Sequence, residues 1–422
     1  MDIRIYNKTT SKIDSIVVFF YICLIFIGFI SINSATSVVN QKLYSFSPIA
    51  IKQLIWIAGA FIIVLSIVFS NIVVIDYFAY GFYAIAIALN VAVLFLGKEV
   101  SGAKSWFGYG GIGIQPSEFA KIATALALAK FLGTYGIRFQ GFKNIFICFM
   151  IFLLPMAIIL IQNDTGSALV FMAFFLVLYR EDLPGFILLA AVWFLVLSIL
   201  RIMSEANGIS SFYGYGILLG LASMVVLFFR KDKEIVKIII LVAVLSSLFY
   251  TVVGTVYQQI LQPYQRDRIE LILGLKEDNK GVGFNLQQSK IAIGAGEFWG
   301  RGYMQGSQTK MGFVPAQHTD FIFDTIGEEW GFVGVLIFLL IFFGMLIRVV
   351  ILAERQSTIF GRVLGYSLAS VLFVHLVINI GMTIGLIPVI GIPLPFVSFG
   401  GSSLWAFTLF LFIFLRVDQV RK

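Results

Sequence analysis

The sequence is short of charge, of histidine and of cysteine. Only 12% of its 422 residues are Asp, Glu, Lys or Arg, where an average soluble domain carries roughly 25%. That is too little polar side chain to cover a water-soluble globule of this length, which excludes a cytosolic enzyme, a secreted disulfide scaffold and a disordered chain. The two cysteines, Cys23 and Cys148, lie in apolar segments and read as small buried hydrophobes rather than a bridge. Two histidines, His318 and His375, with two scattered cysteines, make no convincing zinc or haem site. What the chain has in abundance is apolar: 59% of residues are hydrophobic and 44 are Phe. The apolar runs reach ~20 residues without a charge, the length of a membrane helix rather than of an alternating barrel strand.

These runs fall at about 15–36, 49–70, 73–96, 117–133, 144–162, 165–181, 185–203, 211–230, 235–257, 327–350, 357–380 and 400–417, which reads as about twelve spans. The first is too long for a signal-peptide core and follows Arg4, Lys8 and Lys12, so it reads as an uncleaved anchor. With the N-terminus inside, the cytoplasmic side collects Arg138, Lys143, Arg180, Arg230, Lys231, Lys233 and Lys237, then Arg348, Arg355, Arg362, Arg416, Arg421 and Lys422. The opposite short loops hold only Lys42, Lys98, Lys104 and Arg201. This bias places both termini in the cytoplasm. It also places three segments on the outer face: the loop 97–116, a large extracytoplasmic loop at about 258–326, and a Gly- and Pro-rich loop at 381–399. The net charge of +8 (30 basic minus 22 acidic) suggests anionic lipid, not nucleic acid.

Charge inside a membrane helix is expensive and tends to mark function. Here the unusual charges gather at outer helix ends: Glu118 and Lys121 at the start of the fourth span, Asp164 between the fifth and sixth, and Glu328 and Glu329 at the start of the tenth. The plainer account of Glu118 and Lys121 is an i,i+3 ion pair behind Pro116. Proton-coupled transporters place such groups near the midplane, so the pattern points to binding or chemistry at the outer leaflet. The long loop is basic (Arg266, Arg268, Lys276, Lys280, Lys290, Arg301, Lys310) and rich in glycine. Taken alone, that is a solvated loop; in a membrane protein it suggests an anionic headgroup or a lipid-linked diphosphate. His318 reads as a hydrogen-bonding residue of a turn, and His375 and Asn379, one helical turn apart, as a pair bonding across helices.

Several stretches together resemble the SEDS family. They are Gly102-Ala103-Lys104-Ser105-Trp106 with Gln115-Pro116-Ser117-Glu118-Phe119-Ala120-Lys121, then Gln162-Asn163-Asp164-Thr165-Gly166, then Tyr264-Gln265-Arg266-Asp267-Arg268-Ile269. Gln288-Ser289-Lys290 and His318-Thr319-Asp320 follow in the family's order, as does Gly391 to Phe396 with Ser398 to Ser403. The stretch Ser307 to Phe313 before Pro315 has the form of the elongation branch rather than the division branch. The resemblance implies an all-α polytopic membrane protein, a SEDS-like bundle of about 10–12 transmembrane helices in a single integral membrane domain over 1–422. It implies a peptidoglycan glycosyltransferase of the bacterial cytoplasmic membrane that polymerises lipid II and works with a class B penicillin-binding protein. The family's essential Asp, followed by Gly-x-Gly-aromatic, falls on Asp278 with Gly281, Gly283 and Phe284. Three positions depart from the pattern: Asn279 and Asn163 stand where the family usually has Pro, and Phe284 where it has Tyr.

The chemistry is consistent with that expectation. Inverting transfer from a lipid-diphosphate donor is a single displacement that needs one base for the acceptor hydroxyl, and no carboxylate nucleophile. The leaving diphosphate needs positive charge, which Lys, Arg or a divalent cation supplies. Asp278 is therefore the expected base. Lys104, Lys121, Arg266, Arg268 and Lys290 are the expected diphosphate contacts. Trp106, Gln115, Glu118, Gln288, Ser289, His318 and Asp320 complete the expected substrate site. A divalent cation (Mg or Mn) remains open, since no dense carboxylate cluster compels one. A lipid II flippase, a division-type paralogue and a non-catalytic scaffold for the penicillin-binding protein are the alternatives.

Overall fold

A computed structural model describes residues 12–37, 46–100, 102–109, 112–135, 142–206, 208–261, 263, 266–267, 270, 282–310 and 316–420. The chain opens with α1 (Ser15–Ala35), α2 (Pro48–Val68), α3 (Ile72–Tyr77) and α4 (Ala79–Leu96). Three strands follow, β1 (Lys98–Val100), β2 (Ala103–Tyr109) and β3 (Ile112–Ile114). Next come α5 (Pro116–Tyr135), α6 (Phe142–Ile161), α7 (Thr165–Val170), α8 (Ala173–Arg180), α9 (Gly185–Ala206), α10 (Ser211–Phe228) and α11 (Lys233–Thr255), the last running into a π-helical turn, Val256–Ile260. The chain ends with α12 (Val282–Ala295), α13 (Ser307–Lys310), α14 (Ile322–Glu354), α15 (Ile359–Ile384) and α16 (Gly401–Gln419).

Among the described residues, ten helices are long and apolar enough to cross a membrane: α1, α2, α4, α6, α9, α10, α11, α14, α15 and α16. The other two expected spans have different structures. The 117–133 run is α5, a charged but almost wholly buried helix. The 165–181 run breaks after Val170 into α7 and α8, joined where Phe171 and Met172 bond back only three residues, to Ala168 and Leu169. The all-α architecture carries one small non-helical element. Strands β1, β2 and β3 form a small antiparallel sheet in that order, with Gly102 ahead of β2 at a φ of 84° that suits glycine. The long loop is likewise not featureless, since it contains α12 and α13.

Helix starts follow ordinary capping chemistry. Ser47 accepts from the Ala50 N–H ahead of Pro48, and Thr358 accepts from Gly361 to open α15. That helix closes at Gly385 in the left-handed conformation, φ 81°. Helix α14 begins at Ile322, five residues before the expected span. Glu328 and Glu329 therefore do not open it but lie inside it, 0% and 2% exposed. The helix breaks at Gly331 (φ 61°, ψ −161°).

The chain forms two compact units. One comprises 1–182 and 285–422. In it α5 packs against α4, α6, α15 and α16, while α1 lies on α14 and α2 on α16. The other comprises 183–284, where α9, α10 and α11 pack on one another around Leu197, Leu218 and Tyr250. Its buried charge is Arg201, paired with Glu205 and lying over the Tyr250 ring.

Candidate active site

The first turns of α5 carry the centre of the site. Pro116 starts the helix, and the i,i+3 spacing sets Glu118 and Lys121 on one face. They form an ion pair of 2.8 Å with only 3% and 2% of the side chains exposed. A pair this deep is unlike a surface salt bridge, because removing one partner strands a charge in a dry interior. The Lys121 ammonium also donates to Nε2 of His375 at 3.0 Å and lies 5.1 Å from the Phe407 ring centre. An ammonium has no lone pair to offer, so Nε2 accepts and the imidazole proton sits on Nδ1. That Nδ1–H donates to the Pro393 carbonyl at 3.1 Å. The second oxygen of Glu118, Oε2, is buried without a hydrogen-bonding partner.

Around this pair the motifs of three distant segments meet. The Gln115 side chain donates to Asp164 at 2.7 Å and to Ser167 at 3.2 Å, and its backbone N–H donates to Ser402 at 3.0 Å. Asp164 caps α7 through the Ser167 N–H. Asn163, beside it, has φ 62°, which a proline ring locked near −65° cannot adopt. Asp320 lies beside Gly391, where an added Cβ would stand 3.2 Å from its Oδ2. Burial and the neighbouring Asp164 charge push its carboxyl up to about 6. Burial pushes the His318 imidazole the other way, below its usual range.

The 318–320 backbone is held by the 391–403 motif and by Asn379 of α15. The carbonyls of His318, Thr319 and Asp320 accept in turn from the Phe399 N–H (2.9 Å), the Ser398 hydroxyl (2.6 Å) and the Asn379 amide (2.8 Å). Asn379 also donates to Ile392 at 2.7 Å. His375 and Asn379 do bond across the fold, as their spacing suggests: His375 to Lys121 of α5 and to the Pro393 carbonyl, Asn379 to the carbonyls of Asp320 and Ile392. The sequence reading assigned neither to the site; their i,i+4 spacing on an apolar helix was the available signal.

The remaining expected residues divide. Ser289 is buried, its hydroxyl 2.8 Å from both Asp324 and the Thr383 carbonyl, so it ties α12 to α14 and α15. Gln288, next to it, is partly buried. Lys290 is exposed, with the ammonium end of its side chain against Gly385. Lys104 donates to the Phe95 carbonyl at 3.2 Å, and Trp106 packs its ring on Gly113 across the small sheet. Arg266, in the second unit, donates to Leu261 at 3.1 Å and to Gln258, closing the π-helical turn. Asp278, Arg268, Glu277, Lys276, Lys280 and Gly281 lie outside the described residues. Among the described residues no group of three or more His, Cys, Asp or Glu side chains could hold a metal ion.

A membrane bundle with a buried ion pair beside converging loop motifs is the class of protein that this geometry defines. The FTSW_RODA_SPOVE family model (cell cycle protein) matches residues 14–213 and 210–422, so the chain belongs to that family. It is 31% identical to the peptidoglycan glycosyltransferase RodA of Treponema pallidum, over 94% of this chain and 95% of the relative. It is 33% identical to the peptidoglycan glycosyltransferase MrdB of Escherichia coli, over 76% of this chain and 72% of the relative. Among solved structures, it is similar to a chain of a peptidoglycan synthase complex described as coordinating polymerization and crosslinking. The TM-score is 0.70, with 25% identity over 96% of this chain and 97% of that one. The RodA of Thermus thermophilus has the same fold, with a TM-score of 0.60 and 22% identity over 96% of each chain.

Proposed function

We propose that this chain is a peptidoglycan glycosyltransferase of the elongation type, polymerising lipid II at the outer face of the bacterial cytoplasmic membrane. Family membership and relatives named for that activity support the reading. The structural observation that carries it is the Lys121–Glu118 pair. A lysine 1% exposed inside an apolar bundle is costly even when it is paired, and such buried charges tend to mark function. The charge that develops on a departing diphosphate uses the Lys121 ammonium, in a site where little water screens the interaction.

In the reaction, the acceptor sugar's 4-hydroxyl oxygen forms the new bond to the donor's anomeric carbon. The bond from that carbon to the diphosphate breaks, and the diphosphate leaves with the electron pair. Asp278 takes the hydroxyl proton, an assignment that rests on its Gly-x-Gly-aromatic spacing. Lys121 acts on the diphosphate from within, and the exposed Lys290 meets it at the surface. The complex in the similar solved structure supports a class B penicillin-binding protein as the crosslinking partner.

The test is Asp278→Asn. Purified variant should insert, bind the partner and fail to polymerise lipid II. Normal polymerisation would move the base to Glu277. The buried Lys121–Glu118–His375 group also suits a transporter. Lipid II crossing vesicle membranes with the Asp278→Asn protein, while wild type makes no glycan, would favour that second reading.

A further inference from the structure

We propose that His375 is a positioning residue for Lys121, holding its ammonium in place and tying it to the loop 391–396. The functional readouts below rest on the glycosyltransferase reading. Lys121 has three protons to place. One goes to Glu118 Oε1 at 2.8 Å and one to His375 Nε2 at 3.0 Å, and the ammonium lies 5.1 Å from the Phe407 ring centre. His375 cannot turn away, because its other nitrogen donates to Pro393 and its ring stands edge-on to Phe407, 4.9 Å between centres. One helical turn on, Asn379 donates to Ile392. Helix α15 thus grips the loop at two successive carbonyls, 392 and 393, and one of those grips is the ring that receives the ammonium. A shift of the loop at Pro393 is a shift of Lys121. The charged groups facing the imidazole are Lys121 and, through it, Glu118, both from α5.

Without the imidazole, Lys121 keeps only Glu118, whose Oε2 is free to draw it aside. His375→Leu should therefore lower kcat for lipid II roughly 10- to 100-fold, the scale of a catalytic group misplaced by about 1 Å. KM should change little, because Lys121 is not a surface contact. His375→Gln offers an acceptor and a donor at nearly the same separation and should restore most of the turnover. Wild-type turnover in His375→Leu, or His375→Gln no better than His375→Leu, would overturn the proposal.

A second measurement needs neither activity nor a folded Leu variant. With only two histidines in the chain, 15N-histidine NMR of the detergent-solubilised protein gives two imidazoles, and His375→Gln identifies the one that disappears. That ring should show a protonated Nδ1 and an accepting Nε2, and Lys121→Met should shift the Nε2 signal. A protonated Nε2, or a signal indifferent to Lys121, also overturns it. Wild-type protein that makes no glycan but gives the expected spectrum would instead sink the glycosyltransferase reading and leave the contact standing.

Discussion

Helices α15 and α16 differ from α9, α10 and α11 in what they do with their surfaces. In α15 and α16, 72% of each membrane-length window is buried in protein; in the other three the share is 12%, 6% and 11%. The first pair can hold polar groups, because protein covers them, and they do: His375, Asn379, Thr383, Ser402 and Thr408 are all at most 3% exposed. The second group shows its surroundings Leu, Ile, Val and Phe on nearly every face. Buried polar side chains therefore concentrate where helices are enclosed by protein.

The comparison can be broken most severely at Lys121. Lys121→Met leaves Glu118 buried without its partner, which should cost about 3–5 kcal/mol of stability and abolish lipid II polymerisation. The checks are thermal loss of the monodisperse species in detergent and glycan synthesis. Next comes packing. Gly28 approaches the backbone of Val397, where a Cβ would stand 2.6 Å from the carbonyl oxygen. Gly28→Ala should destabilise by roughly 1–3 kcal/mol, as overpacking does, in the same thermal assay.

Asp320 gives a smaller, pH-dependent effect. Its carboxyl in the fold, at about 6, lies above the ordinary 3.8. The folded state therefore holds that proton more tightly than the unfolded one, and stability falls as pH rises from about 4 to about 6. Asp320→Asn should unfold at a higher Tm than wild type at pH 7.5, with the difference shrinking as pH falls below about 6. A difference independent of pH would mean that Asp164 and burial do not govern this group. The smallest effect belongs to the exposed unit. Gly216 and Gly220, on α10, have open space where a Cβ would go. Alanine at either position should be neutral or stabilise by up to about 1 kcal/mol, and polymerisation should be unaffected.

The spans were legible because long apolar runs are local. So was the Glu118–Lys121 pair, because three residues on a helix are neighbours whatever the fold. The partner of Lys121 was not, since His375 is 254 positions away and only packing brings α15 to α5. Ser289 stood inside a recognisable motif and still turned out to be buried, since motif spacing says nothing about which face of α12 meets α14. The early start of α14 was hidden by composition: Asp324, Glu328 and Glu329 lower the hydropathy of its first turns, and only their burial in protein permits the helix there. The strands of the small sheet are only three to seven residues long, so they carry none of the periodicity that marks membrane helices.

The break at Gly331 shows how this membrane protein fastens a long segment. In an unbroken helix, the Phe332 and Val333 N–H groups would bond to the carbonyls of Glu328 and Glu329. Here those carbonyls accept from Arg301 and Gly302 instead, while Phe332 and Val333 donate to Glu297 and Phe298. Two bonds within the helix are exchanged for four between it and residues 297–302. Mechanically this is a clasp rather than a hinge: bending at Gly331 alone would have to release all four bonds. Because backbone atoms carry the clasp, side chains along 297–302 can change while the segment stays fastened, provided that Gly300 and Gly331 keep their positive φ.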